Sequence, residues 1–340
     1  MRKIFYILLS LFIISPVFAQ KQDNKDLWAV YTINKQSKNK VQQVRFSSLV
    51  GKDDRVELTG QVRDWRTAVV VLVTTTSENG RGICSGSMVG PHTVLTAAHC
   101  LVDDYGKFMK EVQVFATGMP EKELYVDENE PYKQANNEQA ITKLKSKVSQ
   151  NIPNIDGLQS EIDTILPVQK NGFVLNIKVR DTDASANAVK LWVPHEYLEK
   201  LNGSSFSYDS VPFDYALITL DKSIGDETGW LSLAVKSDKK LQNMKVCVIG
   251  RGYDKQVLSL WEGCGKIGYI YEDFFEHDAD MLGGNSGGPI FDTEDPGKII
   301  ALSNFSTIQK YWPDGHFPNG GMRITPRILN AIKTQIAHES

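Results

Sequence analysis

Hydrophobic positions along the chain fall mostly into short runs closed by turn-forming residues. Residues 69–76 read Val-Val-Val-Leu-Val-Thr-Thr-Thr, a β-branched run without alternation that predicts a strand buried on both faces. Met88-Val89, then Gly90-Pro91-His92, then Thr93-Val94-Leu95-Thr96 predict strand, turn and strand. Further β-type runs recur at 112–115, 173–179, 189–193, 216–220, 246–249, 265–270 and 299–302, each bounded by Gly, Pro, Asn or Asp. Many short strands with turn signals point to an antiparallel sandwich or barrel pair rather than an alternating α/β sheet. Two segments carry a helical period. Residues 138–148 set Ile141, Leu144 and Val148 on one face. Near the C-terminus Thr325 predicts an N-cap and Pro326 the first helical position, with Ile328, Ile332 and Ile336 as the apolar stripe. Both helices read as structural, and no internal repeat is found.

The first residues follow a different pattern. Arg2 and Lys3 precede an apolar run over 4–14 broken only by Ser10, then come Pro16 and Val17-Phe18-Ala19. A basic start, an apolar middle and a small residue at the cut predict a secretory signal peptide over 1–19. The apolar run is too short to span about 30 Å of hydrocarbon, so no membrane anchor is expected after its removal. The product is expected to be exported, either secreted or periplasmic. Residues 20–47 are polar, rich in Lys, Gln and Asn, with little periodicity beyond 27–33. They read as a prosegment or an extended N-terminal arm, with a plausible cut after Arg45 that would make Phe46 the new N-terminus.

Composition narrows the class further. At about 150 residues per domain, 340 residues suggest two structural units. With 41% hydrophobic and 23% charged residues, a disordered or coiled-coil chain is excluded. A net charge of −3 argues against a nucleic-acid partner. Six His and four Cys are too few and scattered for a zinc framework, so neither metal nor cofactor is expected. Export places Cys84, Cys100, Cys247 and Cys264 in an oxidising compartment, where disulfides are the default. Three pairings are open, and the spacings suggest one local bridge in each half.

Three motifs carry chemistry, in the order His, Asp, Ser. Leu95-Thr96-Ala97-Ala98-His99-Cys100 sets a His at the end of an apolar strand. Phe213-Asp214-Tyr215-Ala216-Leu217-Ile218-Thr219-Leu220 sets an Asp just before one. Gly283-Gly284-Asn285-Ser286-Gly287-Gly288-Pro289-Ile290 lets the backbone turn sharply and aim amide groups at one point beside Ser286. Singly, each is more often a core His, a turn or a loop. Together they supply a nucleophile, a base to accept its proton and a carboxylate to orient that base.

These residues resemble the trypsin-like (chymotrypsin-fold) serine peptidases. Thr96-Ala97-Ala98-His99-Cys100 and Gly284-Asn285-Ser286-Gly287-Gly288-Pro289 match that family's His and Ser signatures almost letter for letter. Within it the chain is similar to the bacterial glutamyl-endopeptidase-like branch. Gly51-Lys52-Asp53-Asp54-Arg55, Val193-Pro194-His195-Glu196-Tyr197 and Asn319-Gly320-Gly321-Met322-Arg323-Ile324-Thr325 carry that likeness. The resemblance covers roughly 50–335 and is weak from about 103 to 187. It implies an all-β fold of two six-stranded antiparallel barrels with a C-terminal helix, a peptidase domain over 48–340, and a long insertion at about 103–187. It implies a secreted, monomeric serine endopeptidase acting on proteins or peptides through an acyl-enzyme. His99, Asp214 and Ser286 would form the triad, and the amides of Gly284 and Ser286 the oxyanion hole. A Cys84–Cys100 bridge follows from the family likeness, and Cys247–Cys264 from proximity.

Two rivals are weighed. Gly284-Asn285-Ser286-Gly287-Gly288 also fits the Gly-x-Ser-x-Gly elbow of α/β-hydrolases, but that fold orders its triad Ser, acid, His. Only His316 and His338 follow Ser286, so this rival is rejected. The alternative is a non-catalytic protease homologue acting as a secreted binding module. Such proteins usually lose a triad residue, and here all three are present.

The chain also departs from its relatives. Zymogens that activate through a new N-terminus keep an Asp just before the Ser, and this chain has Asn285. An amide offers no charge to offset burying an ammonium group. Glutamyl-specific relatives read the substrate with a Thr or Ser shortly before the Ser and a His on the facing strand. Here position 281 is Met, and Ile300-Ala301-Leu302-Ser303-Asn304 has no His. Asp280, six residues before Ser286, stands where trypsin-like enzymes hold Lys or Arg. His277-Asp278-Ala279-Asp280 also resembles a segment in relatives without that specificity, where the Asp is structural. Asp280 and Ser303 are the candidate specificity residues, with a basic residue expected before the cut bond ahead of an acidic or small one.

Overall fold

The β-branched run at 69–76 becomes a strand of a closed barrel, paired on both sides. The computed structural model describes residues 27–33, 47–118, 184–201, 209–306 and 316–339, apart from Arg63, Asn79 and Val257. Expectations for the leader at 1–19, the Arg45 cut, the helix at 138–148 and the strand at 173–179 lie outside these residues.

Three strands come first: β1 (Trp28–Thr32), β2 (Ser47–Ser48) and β3 (Val56–Glu57). The first barrel follows, made of β4 (Val69–Thr75), β5 (Arg81–Met88), β6 (Thr93–Thr96), β7 (Glu111–Phe115), β8 (Ser185–Pro194) and β9 (Ala216–Leu220). They lie in the order β8-β7-β4-β5-β6-β9, and β9 pairs back onto β8 to close the ring. Closure leaves these six strands no free edge, which suits the all-buried Val69–Val73 stretch. β1 adds to the outside of β8, so part of the segment read as prosegment or arm is a strand seated on this barrel.

The second half contains β10 (Ser232–Leu233), β11 (Lys245–Gly250), β12 (Trp261–Ile270), β13 (Phe274–His277), β14 (Met281–Leu282), β15 (Pro289–Asp292), β16 (Lys298–Ser306) and β17 (Asn319–Arg323). Six of them close as β16-β15-β11-β12-β13-β17, with β17 returning to β16. β10 runs parallel along β16, β3 pairs with β12, and β2 pairs with β14. The two closed six-stranded barrels implied by the resemblance are both present.

The C-terminal helix, Pro326–Glu339, starts where the sequence indicated, with the Ile328 amide donating to Thr325 Oγ1 at 3.4 Å. Ile328 and Ile332 are fully buried. They join an apolar cluster that fills the first barrel and runs across to Ile249, Phe291, Leu302 and Met322 of the second. A smaller cluster around Val246, Val248, Phe275 and Ile290 fills the second barrel alone. The shared cluster makes the cleft between barrels a packed seam. Disulfides join Cys84 to Cys100 and Cys247 to Cys264. The first ties β5 to the short 3₁₀ turn Ala98–Cys100, and the second crosses directly between β11 and β12.

Candidate active site

Register brings His99 and Asp214 together. β6 and β9 are antiparallel neighbours, with Thr96 opposite Ala216. The chain just after β6 and the chain just before β9 therefore emerge at the same end of the barrel. His99 sits in the turn after β6, where Cys100 and Leu101 amides bond back to Ala97 and Ala98 carbonyls at 3.2 and 2.9 Å. Asp214 sits two residues before β9, directly after the 3₁₀ turn Val211–Phe213. Its Oδ2 lies 2.7 Å from His99 Nδ1, and its Oδ1 accepts the His99 backbone N–H at 3.0 Å. The two contacts fix both the ring and the backbone of His99 against one carboxylate. With Nδ1 donating to Asp214, Nε2 is left free to accept a proton.

Burial disfavours the charged imidazolium of His99, but the Asp214 charge and hydrogen bond outweigh it. The net shift holds His99 above its ordinary value. The ring keeps 19% exposure, so it faces an opening. Asp214 is buried and receives a further donor that sequence reasoning missed. Asn304 Nδ2 donates to Asp214 Oδ2 at 2.8 Å and to the Asp214 carbonyl at 2.7 Å. Asn304 Oδ1 accepts the Met322 amide at 3.1 Å, which locks the side chain's orientation. No local motif announces Asn304, because its partner is ninety positions earlier in the chain.

Ser286 lies between β14 and β15 in a loop tied down on all sides. The Asn285, Gly287 and Gly288 amides donate to the carbonyls of Leu282, Ser303 and Asn285 at 3.0, 2.7 and 2.9 Å. Asn285 is buried, and its Oδ1 accepts the Leu282 amide at 3.1 Å. Its side chain thus braces the loop from within, in place of a charge partner. From the first barrel, the Ser85 amide donates to the Ser286 carbonyl at 2.8 Å, and Ser85 Oγ donates to the Gly284 carbonyl at 2.8 Å. Ser85 is the second residue that the sequence did not single out.

Gly284 has φ +99°, and a Cβ there would collide with the Arg251 carbonyl oxygen. Only glycine fits. The amides of Gly284 and Ser286 meet no protein acceptor among the described residues, so two neighbouring donors stay available beside the Ser286 side chain.

Asp280, six residues before Ser286, is buried. Its Oδ1 accepts the Val50 amide at 2.6 Å and its Oδ2 the Asp54 amide at 3.4 Å. Burial raises its pKa, and the two amides only partly offset that. Ser303 is fully buried, with its hydroxyl 3.4 Å from Met281 Sδ. Among the described residues the groups close enough to hold a metal are Cys84, His99 and Cys100, and Cys247, Glu262 and Cys264. Their sulfurs are joined in disulfides, so neither donor set fits an ion. No helix among the described residues is long and apolar enough to cross a membrane.

The chain is similar to known proteins in family and in fold. The trypsin family model matches residues 59–187, and the trypsin-like peptidase domain model matches residues 168–302. The glutamyl endopeptidase of Staphylococcus aureus strain MW2 is 28% identical over 119 residues, 34% of this chain and 32% of the relative. That of strain N315 is likewise 28% identical over 119 residues. The chain thus spans about a third of the length of the curated relatives it matches. A solved Glu endopeptidase in complex with MPD superposes with a TM-score of 0.53 at 18% identity, covering 85% of this chain and all of that one.

Proposed function

The chain belongs to the trypsin-like serine peptidases, and from that membership we propose that it is an exported endopeptidase cutting protein or peptide substrates. The observation that carries the proposal is the paired contact of Asp214 with the ring and backbone of His99. Ser286 Oγ attacks the scissile carbonyl while His99 Nε2 takes its proton. The carbonyl oxygen becomes an oxyanion received by the Gly284 and Ser286 amides. The tetrahedral intermediate collapses, His99 gives its proton to the leaving amine, and an acyl-enzyme remains. Water, deprotonated by the same His99, then releases the acid and restores Ser286. Asp214 keeps Nδ1–H in the working tautomer and stabilises the imidazolium. These roles follow the general template for such triads.

Asp280 is carried into the proposal as the candidate for favouring a cationic residue before the cut bond; against it stand its burial and the Val50 and Asp54 amides on its two oxygens. Profiling the processed enzyme on a mixed peptide library tests it. Cleavage after Glu, undiminished in Asp280→Ala, would remove that part. The wider proposal is tested with a fluorophosphonate probe on processed, folded protein. Covalent labelling at Ser286, absent in Ser286→Ala, is the expected result. A folded preparation that takes up no probe would instead point to the non-catalytic binding module.

A further inference from the structure

β1 is not one of the six strands that close the first barrel, yet it touches both segments that hold the His99–Asp214 pair. Its residues from Trp28 to Thr32 pair antiparallel with Pro194 to Lys190 of β8. Two further backbone bonds extend the ladder, from Ile33 N–H to Val189 O and from His195 N–H to Leu27 O, each 3.1 Å. Trp28 is only 3% exposed and meets Tyr215 edge-on, with centroids 5.5 Å apart and planes at 87°. Tyr215 is the residue after Asp214 and is itself fully buried. At the other end of β1, Tyr31 stacks on Phe108 at 5.3 Å and 11°.

Phe108 belongs to the loop that leaves His99. Val102 bridges to Phe108, and the Met109 amide donates to Leu101 O at 2.8 Å, so the ring of Phe108 is part of a fixed turn. A single five-residue strand thus packs one aromatic ring against the Asp214 segment and another against the turn after His99. The indole nitrogen of Trp28 is buried and meets no acceptor among the described residues. The ring is therefore held there for its bulk and edge contact, not for its donor.

Resting on the peptidase reading above, we propose that β1 stays with the working enzyme and that Trp28 and Tyr31 are positioning residues. They clamp Tyr215 and Phe108, and through them hold Asp214 and His99 in register. A cut between β1 and β2 would leave the strand seated on β8 by its ladder and by Trp28, as in strand-addition complexes.

The test uses the full exported chain and steady-state turnover of a peptide substrate. Trp28→Ala and Tyr31→Ala should each lower kcat at least tenfold with KM within about twofold, because the clamp acts on the pair and not on the substrate. Trp28→Phe should restore most of the loss, since it keeps an aromatic edge and gives up only an unused donor. Deleting residues 20–33 should lower kcat likewise, and a synthetic peptide of residues 24–35 added in trans should restore it saturably. If Trp28→Ala fails to fold, the partly exposed Tyr31→Ala and the peptide rescue decide. Wild-type kcat in the deletion, a loss in KM alone, or Phe proving as damaging as Ala would overturn the clamp. A wild-type chain unlabelled at Ser286 would instead overturn the peptidase reading.

Discussion

Asn304 offers the sharpest quantitative test of how the pair works. Asn304→Leu keeps the shape of the side chain and removes both donors to Asp214, 2.8 Å from the carboxylate and 2.7 Å from the carbonyl. A hydrogen bond to a charged group contributes about 1.5–3 kcal/mol. If that bond steadies Asp214 as His99 becomes charged, its loss lowers kcat/KM by about tenfold to a hundredfold at roughly 1.4 kcal/mol per decade. The unpaired Met322 amide adds a stability loss of about 1–3 kcal/mol. With that donor gone, more of the Asp214 charge acts on the His99 imidazolium and lifts His99 further, so the acid limb of the rate profile moves to higher pH. Asn304→Asp should be worse, because it sets a second carboxylate against Asp214. The assay is kcat/KM against pH on a peptide substrate, with urea unfolding run beside it. A folded Asn304→Leu enzyme with unchanged kcat/KM and an unmoved acid limb would refute the reasoning.

Gly284→Ala forces a Cβ into the Arg251 carbonyl at φ +99°; kcat should drop about a hundredfold or more from a displaced oxyanion donor, measured against a control of similar thermal stability. His277 is fully buried, and burial lowers its pKa to about 3, against a smaller opposing effect of the Ala279 backbone. The unfolded chain binds that proton at about pH 6.5, so stability is lost as pH falls below that value towards 3; His277→Leu should flatten the acid side of a urea-midpoint profile. For His99, raised when folded, the sign is opposite: its contribution is complete below about pH 6.5 and is lost as pH rises through the folded value. Subtracting the unfolding curves of His99→Ala from wild type across neutral pH should show that loss. Replacing Cys247 and Cys264 together by Ala opens a loop with a separation of 17 residues and should cost about 3 kcal/mol, read as a lower denaturant midpoint under oxidising conditions.

The barrel strands with β-branched runs were legible because propensity and burial agree there, as in β4 and β9. β17 was hidden as a strand. Asn319, Gly320 and Gly321 have poor strand propensity, and glycine is needed at 320 because a Cβ would run into the Phe305 ring. β1 was hidden for another reason: 27–33 carries an apolar pattern inside an otherwise polar segment, but its partner strand lies more than 150 positions later, at 190–194 of β8. His99, Asp214 and Ser286 stood out through local motifs of small and apolar neighbours. Asn304 and Ser85 did not, because what they hold is set by pairing across the fold and not by adjacent residues. Asp280 was legible as a carboxylate at a telling distance from Ser286, but its engagement with the Val50 and Asp54 amides belongs to tertiary structure alone.

The junction of β7 with β8 has a consequence for engineering. Phe115 pairs with Ser185, and the Ala116 amide donates to the Ala184 carbonyl at 3.0 Å. The chain therefore leaves the barrel after Gly118 and rejoins it at Ala184 at adjoining points. Joining β7 to β8 by a short turn there would leave every described rung between the two strands in place. The same port accepts the reverse operation. A foreign domain whose own termini lie close together can be spliced in there without breaking a single rung of the barrel.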